Sequence, residues 1–452
     1  MARLIEKIAL INPKRPLIHE NQGIYEMFER NRNQLKPWLG PPLNLLTIAA
    51  LTPDDIDVKI IDEHYETIDF EQRYDLIGLT AMTRQADRAY EIAREFQKRN
   101  IPVVMGGIHA SFLTDEALMH VDTVFVGEAE ELWEKYLVDL MNGKQKRVYR
   151  SEKPCDLSKS PVPRYDLINN QAYKDVTKYF NMIPVQATRG CPHNCIFCAV
   201  SELYGKKVRK KNIDQVINEI YSLRKYYSDS LILFADDNLF VDKKYIKEIL
   251  RELVPLKIKY LAQSDIKVAE NDELLELAYL SGCQFIFIGF ESTNMNSLGE
   301  INENKWKLKH AEKYSEYVRK IQEKGIVVFG AFAIGFENDG PDTFQKIRSF
   351  AVDNNIPGQF TVLTPVPGSR LYNQLVAEGR LYEEKFWNRC GFYNLVFRHS
   401  KLNREKVEES LIWLYDQVFS PENSLKRALY MKEIYKKLPQ RWTYPEKIKK
   451  IS

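Results

Sequence analysis

The stretch Thr188-Arg189-Gly190-Cys191-Pro192-His193-Asn194-Cys195-Ile196-Phe197-Cys198 follows an apolar run, Ile183 to Ala187, that reads as a β-strand. Thiolates this close on one loop, at Cys-x-x-x-Cys-x-x-Cys spacing, suit an iron-sulfur cluster, and three protein ligands leave one iron of a cubane open to another group. A structural zinc ion would need a fourth ligand. Cys155, Cys283 and Cys390 are isolated, with no partner at zinc-finger spacing. Three buried structural thiols fit less well still, because a Gly-Cys-Pro turn is a poor place to hide side chains.

Strand-helix alternation runs outward from this loop to about Gly379. Ile183 to Ala187, Leu231 to Ala235, Lys259 to Ala262, Phe285 to Gly289, Val327 to Ala333 and Phe360 to Thr364 read as strands of a partial (β/α) barrel of about six units. Barrel sites sit at the carboxyl ends of strands. Three of those ends are polar: Asp236-Asp237-Asn238, Gln263-Ser264-Asp265 and Glu291-Ser292. A carboxylate after an apolar run is also an ordinary turn signal, but three in succession on the mouth that carries the cysteines point to a binding surface.

Before the loop, residues 1–140 alternate short β-branched runs with amphipathic segments, the pattern of a doubly wound parallel sheet. The strands expected are Lys7 to Ile11, Val58 to Asp62, Leu76 to Thr80, Val103 to Met105 and Thr123 to Val126, with a helix over Gln85 to Lys98. Ligands bind outside the carboxyl ends of such strands, which puts Asn12, Pro13, Thr80, Met82, Thr83, Gly106, Gly107, His109, Gly127, Glu128 and Glu130 at a candidate site. No Gly-x-Gly-x-x-Gly follows the first strand, which speaks against a dinucleotide. Residues 141–180, with Lys144, Lys146, Arg147, Pro154, Pro161 and Pro163, read as a linker. After Leu381 the pattern is helical, and Leu411, Leu414, Tyr415 and Val418 recur as a core-facing stripe.

With 452 residues, 44% hydrophobic and 28% charged, the chain is neither disordered nor an integral membrane protein in composition, and no run approaches the ~20 apolar residues of a membrane span. No signal-peptide core opens it, and six cysteines, half of them in one motif, fit a reducing compartment, so the cytoplasm is expected. The net charge of +3 is too small to imply nucleic acid. The last 32 residues carry nine Lys/Arg against three Glu, a net of +6, so the rest nets −3. Such a tail reads first as a solvated helix and second as a surface for anionic lipid.

The cysteine spacing, with Phe197 directly before the third cysteine and the loop following a strand, resembles the radical S-adenosylmethionine (SAM) superfamily. Pro41-Pro42-Leu43-Asn44-Leu45-Leu46 ahead of the first helix, with Gly106-Gly107 and Gly127-Glu128 at later strand ends, resembles the cobalamin-binding domain of one large subfamily. Leu363-Thr364-Pro365-Val366-Pro367-Gly368-Ser369 and Glu378-Gly379-Arg380-Leu381 are similar to its last barrel strand and exit. The resemblance implies a [4Fe-4S] cluster on Cys191, Cys195 and Cys198. It places Phe197 beside the SAM adenine, Asp236 and Asp237 where the family binds the SAM amino group, and Gln263 and Glu291 at its ribose and methionine portions. Ile334 and Gly335 would meet the adenine through backbone. Cobalamin would be held by the strand-end residues named above together with Pro42 and Leu43.

The implied organisation is a cobalamin-binding domain at 1–140, a linker, a radical SAM barrel at 181–381 and a helical region at 382–452. Asp62-Glu63-His64 mimics the Asp-x-His of proteins whose histidine coordinates cobalt. It follows the second strand, however, and has Thr67 where that motif has glycine, so His64 is expected not to ligate. The implied activity is methyl transfer to a poorly activated carbon: one SAM methylates cob(I)alamin and another yields the 5'-deoxyadenosyl radical. A lipid-like substrate is the first expectation, a natural product the second, and a reductase, flavodoxin or ferredoxin the electron donor. The rivals are a cobalamin-dependent cyclase, ring-contraction or coupling enzyme, and, from another class, a cluster-bearing sensor or electron carrier.

Overall fold

The computed structural model describes residues 4–15, 23–24, 26–27, 40–168 and 182–441. Part of the expected linker (169–180), the first residue of the expected barrel (181) and the tail beyond 441, including Trp442, lie outside the described residues. Two parallel six-stranded sheets organise the chain.

The first sheet contains β1 (Lys7–Asn12), β2 (Asp57–Asp62), β3 (Leu76–Thr80), β4 (Val103–Gly106), β5 (Thr123–Val126) and β6 (Val148–Arg150), in the order β2-β1-β3-β4-β5-β6. Its central strand β3 is buried at every residue, as parallel strands covered on both faces must be, which is why these strands read as unbroken apolar runs. The helix Ala86–Gln97 turns Ala89, Tyr90, Ala93 and Phe96 to the sheet, and Arg88 on its outer side pairs with Glu63 (2.5 Å). The strand β6 falls within the expected linker. Three residues after Lys144, Lys146 and Arg147 carry too little pattern to read, yet Tyr149 stacks on Phe125 (5.5 Å) and its hydroxyl donates to Asp139 (2.6 Å).

The second sheet is a curled half barrel, β14-β13-β12-β11-β10-β7, with β7 at Met182–Val185, β10 at Leu231–Phe234, β11 at Tyr260–Ser264, β12 at Cys283–Glu291, β13 at Val327–Ile334 and β14 at Gly358–Val362. A short antiparallel ribbon, β8 (Thr188–Arg189) with β9 (Arg209–Lys210), brackets the cysteine loop. Burial alternates along β12 and β14, so one face packs under helices and the other lines an open lumen. In that lumen Gln263, Phe287 and Phe329 align in one register row, and Gly289, Ala331 and Gln359 in the next row toward the carboxyl ends. Phe287 and Phe329 stack at 5.6 Å.

Under the barrel, Lys211 pairs with Glu219 (2.5 Å), both buried, and Tyr165 donates to the same carboxylate (2.9 Å). The stripe Leu411, Leu414, Tyr415 and Val418 is buried on the helix Arg404–Val418. No helix among the described residues is long and apolar enough to cross a membrane.

Candidate active site

The cysteine loop is fastened on several sides. Ile196 donates its N–H to Ile301 (2.7 Å) and accepts that of Leu371 (2.9 Å), Arg370 donates to the Asn194 carbonyl (2.6 Å), and His193 Nε2 meets Asp265 (2.8 Å). Gly190 has φ 102°, and a Cβ there would lie 2.7 Å from the Lys207 carbonyl, so only glycine lets the ribbon turn into the loop. None of Cys191, Cys195 and Cys198 is in a disulfide. Burial pushes their thiols up, Cys195 to about 12 and Cys198 to about 11. Three unpaired sulfurs on one fastened loop are the donor set a cluster takes, and taking it up releases their protons.

At the ends of the barrel strands the carboxylates divide into two kinds. Asp236 is 0% exposed; it accepts from the Thr188 N–H, the Thr188 hydroxyl (2.6 Å) and the Ala187 N–H (3.2 Å). It tethers the chain entering the loop, and its carboxylate keeps no exposed surface. Burial pushes Asp236 up to about 7 against those hydrogen bonds. Asp237 accepts the Gly190 N–H (3.0 Å) and keeps some surface. Gln263, also partly open, points its amide toward the Asp236 carbonyl (3.4 Å).

Glu291 has φ 67° at a register shift between β12 and β13. A non-glycine residue in that region marks a side chain aimed at some local cost. Its partner is Lys307 (3.1 Å), only 5% exposed, which also donates to the Gly289 carbonyl. Burial opposes the lysine's charge, but Glu291 and then Cys195 hold it firmly protonated. Sequence reasoning missed Lys307, because one lysine among Trp306-Lys307-Leu308-Lys309 carries no signal. Phe197 packs edge-on to Phe336 (5.9 Å), next to Ile334 and Gly335. The Gly335 N–H is taken by Asp339 (2.9 Å), so any backbone contact there would use carbonyls.

The first sheet presents a different rim. Gly107 has φ 93°, and a Cβ would fall 2.9 Å from Thr80 Oγ1 and 3.0 Å from the Ala81 backbone. Asn44 donates to Thr80 Oγ1 (2.6 Å), and Gln85 to Asn12 Oδ1 (2.9 Å) and the Pro13 carbonyl (2.5 Å). Pro42 and Leu43 start the helix Leu43–Ala50 at this rim. Thr83 is buried, whereas Met82 is 48% exposed. Ser111 joins two of the glycine ends, accepting the Gly127 N–H (3.0 Å) and donating to the Gly107 carbonyl (2.8 Å); Gly106 precedes them at the end of β4. His109 is 0% exposed, with Nε2 against the Tyr90 hydroxyl (2.8 Å), its ring edge-on to Trp387 (5.7 Å) and its Nδ1 buried without a hydrogen-bond partner. Both ring nitrogens of His64 are engaged: Nδ1 with Asp62 (2.7 Å) and Nε2 with the Arg15 N–H (3.1 Å). Neutral polar groups and a glycine cradle beside an exposed methionine fit a large ligand held by shape.

Glu128 and Glu130, at the end of β5, are held by arginines. Arg189, one residue before the cysteine loop's glycine, pairs with Glu128 and with Glu130 (2.8 Å), and Arg209 of the ribbon reaches Glu128 (2.9 Å). Cys155 completes a group with the two carboxylates that has the spacing of metal ligands, but two guanidinium groups already neutralise it. Burial works against the charge on Glu128, and Arg189 and Arg209 outweigh it, holding the carboxyl below its usual range. This clamp joins the first sheet to the cysteine loop.

The sequence matches a B12 binding domain over residues 39–137 and the radical SAM superfamily over residues 185–351. It is 32% identical over 392 residues to bacteriochlorophyllide d C-12(1)-methyltransferase of Chlorobaculum tepidum, covering 85% of this chain and 84% of that protein. It is 30% identical over 407 residues to the same organism's bacteriochlorophyllide d C-8(2)-methyltransferase, covering 87% and 88%. The fold is that of the radical SAM methyltransferase TsrM of Kitasatospora setae, solved with cobalamin and a [4Fe-4S] cluster bound: TM-score 0.65 at 14% identity, over 93% of this chain and 83% of that one. The chain belongs to the cobalamin-dependent radical SAM enzymes. Within them it is a methyltransferase acting on a small molecule, with a [4Fe-4S] cluster, SAM and cobalamin as cofactors.

Proposed function

We propose that this methyltransferase acts on a poorly activated carbon of a bulky, largely apolar molecule, lipid-like or a natural product, seated in the half-barrel lumen. The observation that carries this reading is the lumen itself. Phe287 and Phe329 form a stacked aromatic floor, and the row above it has Ala331 beside Gln359 and Gly289, with the Glu291–Lys307 pair filling the space over Gly289 at one side of the mouth. The relatives named for bacteriochlorophyllide d fit a substrate of this kind.

In this reading Cys191, Cys195 and Cys198 hold the cluster, and Phe197, Asp237, Gln263, the Glu291–Lys307 pair and the Ile334–Gly335 backbone surround SAM. The Gly107 cradle, with Thr80, Asn12, Pro13 and Met82, seats cobalamin. The bound cofactors supply a radical initiator and a methyl carrier; the chain's part is to align them and keep water out. An external flavodoxin- or ferredoxin-type reductant belongs to the reading. So does contact with a lipid surface by the helix Pro421–Tyr435, whose Leu425 and Leu429 are exposed beside Lys432 and Lys436.

The test is Ala331→Trp. The variant should load iron and cobalamin as the parent does and lose turnover more than tenfold, while the parent releases S-adenosylhomocysteine and 5'-deoxyadenosine in equal amounts. Unchanged turnover in the variant removes the lumen as substrate site. Deoxyadenosine without matching S-adenosylhomocysteine removes the two-SAM stoichiometry.

A further inference from the structure

The edge strand β14 is flanked by the chain that follows the barrel. Val362 donates its N–H to the Phe392 carbonyl (2.7 Å), so the segment Cys390-Gly391-Phe392-Tyr393 runs beside β14, at the opposite edge of the sheet from β7. Tyr393 reaches back over the strand. Its hydroxyl is hydrogen-bonded to Tyr415 and to Gln359, and Gln359 stands in the lumen row beside Ala331. Tyr415 is fully buried and fixed, taking the Phe360 N–H (3.0 Å) and donating to the Phe360 carbonyl (2.9 Å). Tyr393 itself is only half-buried, as is Gln359. The two give an otherwise apolar lumen a polar corner.

Two arginines of the first sheet meet that corner. Arg84, in the turn after β3, lies so close to Gly391 that a Cβ there would be 3.1 Å from its Cζ, and Arg15, in the loop after β1, acts on Tyr393 together with Arg84. Burial pushes the Tyr393 phenol up to about 12, and both guanidinium charges pull the other way. Burial also works against the charge of Arg15, and the carboxylate that supports it is Asp62. Asp62 Oδ1, however, already takes the ring and the N–H of His64 (2.7 and 3.1 Å), and the adjacent Glu63 is held by Arg88 (2.5 Å). Among the described residues the corner therefore sets two half-buried cations against one carboxylate. Charge drawn out of water in this way is stabilised when an anion joins it.

Building on the reading that the lumen seats a bulky apolar molecule, we propose that this corner binds a carboxylate carried by that molecule, with Arg84 and Arg15 as its cationic partners and Tyr393 and Gln359 as hydrogen-bond donors. A planar guanidinium matches a carboxylate with two parallel bonds. An apolar pocket with a few convergent polar groups is the ordinary way to fix the orientation of a ligand as well as its presence. The aromatic floor of Phe287 and Phe329 can hold an apolar body in several rotations; an anion tied at one edge of the sheet leaves one, and so decides which carbon lies beneath the mouth. The corner is thus a specificity determinant for the methyl transfer.

The experiment uses the full chain carrying its cluster and cobalamin, and two probes followed by equilibrium dialysis: pheophorbide a, an apolar macrocycle with one free carboxyl, and its methyl ester, which differs in that group alone. The parent should bind the acid at least tenfold more tightly than the ester, since a site made for a polar group discriminates strongly against the analogue that lacks it, and added salt should narrow the difference. Arg84→Gln and Arg15→Gln should each weaken the acid at least fivefold and leave the ester within twofold of the parent. Tyr393→Phe should weaken the acid about threefold by the loss of one hydrogen bond to a charged group. Iron and cobalamin contents should stay as in the parent. Equal affinity of the parent for acid and ester, or arginine variants that lose both probes alike, overturn the carboxylate site. Loss of cobalamin from Arg84→Gln assigns that cation to the phosphodiester of cobalamin and overturns it too. A parent that binds neither probe, or an Ala331→Trp variant that binds both as the parent does, overturns the lumen reading and this proposal with it.

Discussion

The carboxyl ends of the two sheets solve different problems with different chemistry. The first sheet's rim is made of backbone and neutral side chains, Gly107 against Thr80, Asn44 on Thr80, Gln85 on Asn12 and Pro13, and its two acidic residues are cancelled by arginines. The barrel's rim instead concentrates ionisable groups in partly or wholly buried positions: Asp236, Asp237, Asp265, Glu291 and Lys307. A charged group removed from water persists only where a partner or hydrogen bonds hold it: Lys307 holds Glu291, His193 and Asn238 hold Asp265, and the N–H groups of Ala187 and Thr188 hold Asp236, which leaves Asp237 with open surface. In the proposed reading the first meets its ligand by shape. The clamp of Arg189 and Arg209 on Glu128 is where the two rims become one site, because the same ribbon enters the cysteine loop.

The comparison breaks most completely at the barrel rim. Changing Cys191, Cys195 and Cys198 together to Ala should remove all cluster iron and its visible absorption from anaerobically purified protein, while cobalamin still binds the other rim. Stoichiometric iron in that variant would show that the ligands were misassigned. The next largest effect concerns the clamp. Arg189→Ala leaves Glu128 and Glu130 with one arginine fewer, and stranding buried charge costs about 3–5 kcal/mol. Thermal unfolding should show that loss, with much of it regained when Glu128→Gln is added. A loss below about 1 kcal/mol would mean that the pairs are solvated and the two rims are not coupled there.

A smaller effect follows from Asp236, and its sign is fixed. Its carboxyl titrates at about 7 in the folded chain against an ordinary value of 3.8, so the fold binds the proton that the unfolded chain has already lost. Stability from this group is therefore full below pH 4 and falls as pH rises toward 7. Between pH 5 and pH 8 the loss should be about 2–3 kcal/mol at ~1.4 kcal/mol per unit. Urea unfolding of the parent and of Asp236→Asn checks it: the variant's stability should lack that slope, and parallel curves would mean that the hydrogen bonds from Thr188 and Ala187 keep the carboxylate ionised at all these pH values.

How much of this was legible beforehand follows from the range of the interactions. Strands announced themselves as apolar runs because both faces of a parallel sheet are buried, and the cysteine loop because its three cysteines lie within eight consecutive residues. The strand ends were also found in place. What the sequence did not show is which way each polar side chain turns. Asp236 and Asp237 are neighbours, yet one faces back into the chain and the other keeps open surface. Glu128 has its partner Arg189 61 positions away, and no local pattern encodes that pairing. Lys307 stayed hidden for the same reason, its role being set by a strand 16 residues earlier, at Glu291.

The smallest expected effect tests the first rim, and there the prediction is no change. His64 stands in a sequence context that imitates a cobalt-ligating histidine, and if it ligated, the rim would hold its cofactor by a coordinate bond as well as by shape. The structure leaves it no lone pair to give: Nδ1 donates to Asp62 at 2.7 Å, and Nε2 accepts the Arg15 N–H at 3.1 Å. Freeing Nε2 would abandon a backbone donor that lies partly buried, and turning the ring would also break the Asp62 contact. The cob(II)alamin form should therefore show an electron paramagnetic resonance spectrum without nitrogen superhyperfine splitting from protein, and His64→Ala should leave that spectrum and the cobalamin content unchanged. Splitting that vanishes in the variant would show that the ring leaves both partners when cobalamin binds, and the contrast between a rim of shape and a rim of charge would then have to include a metal bond on the first.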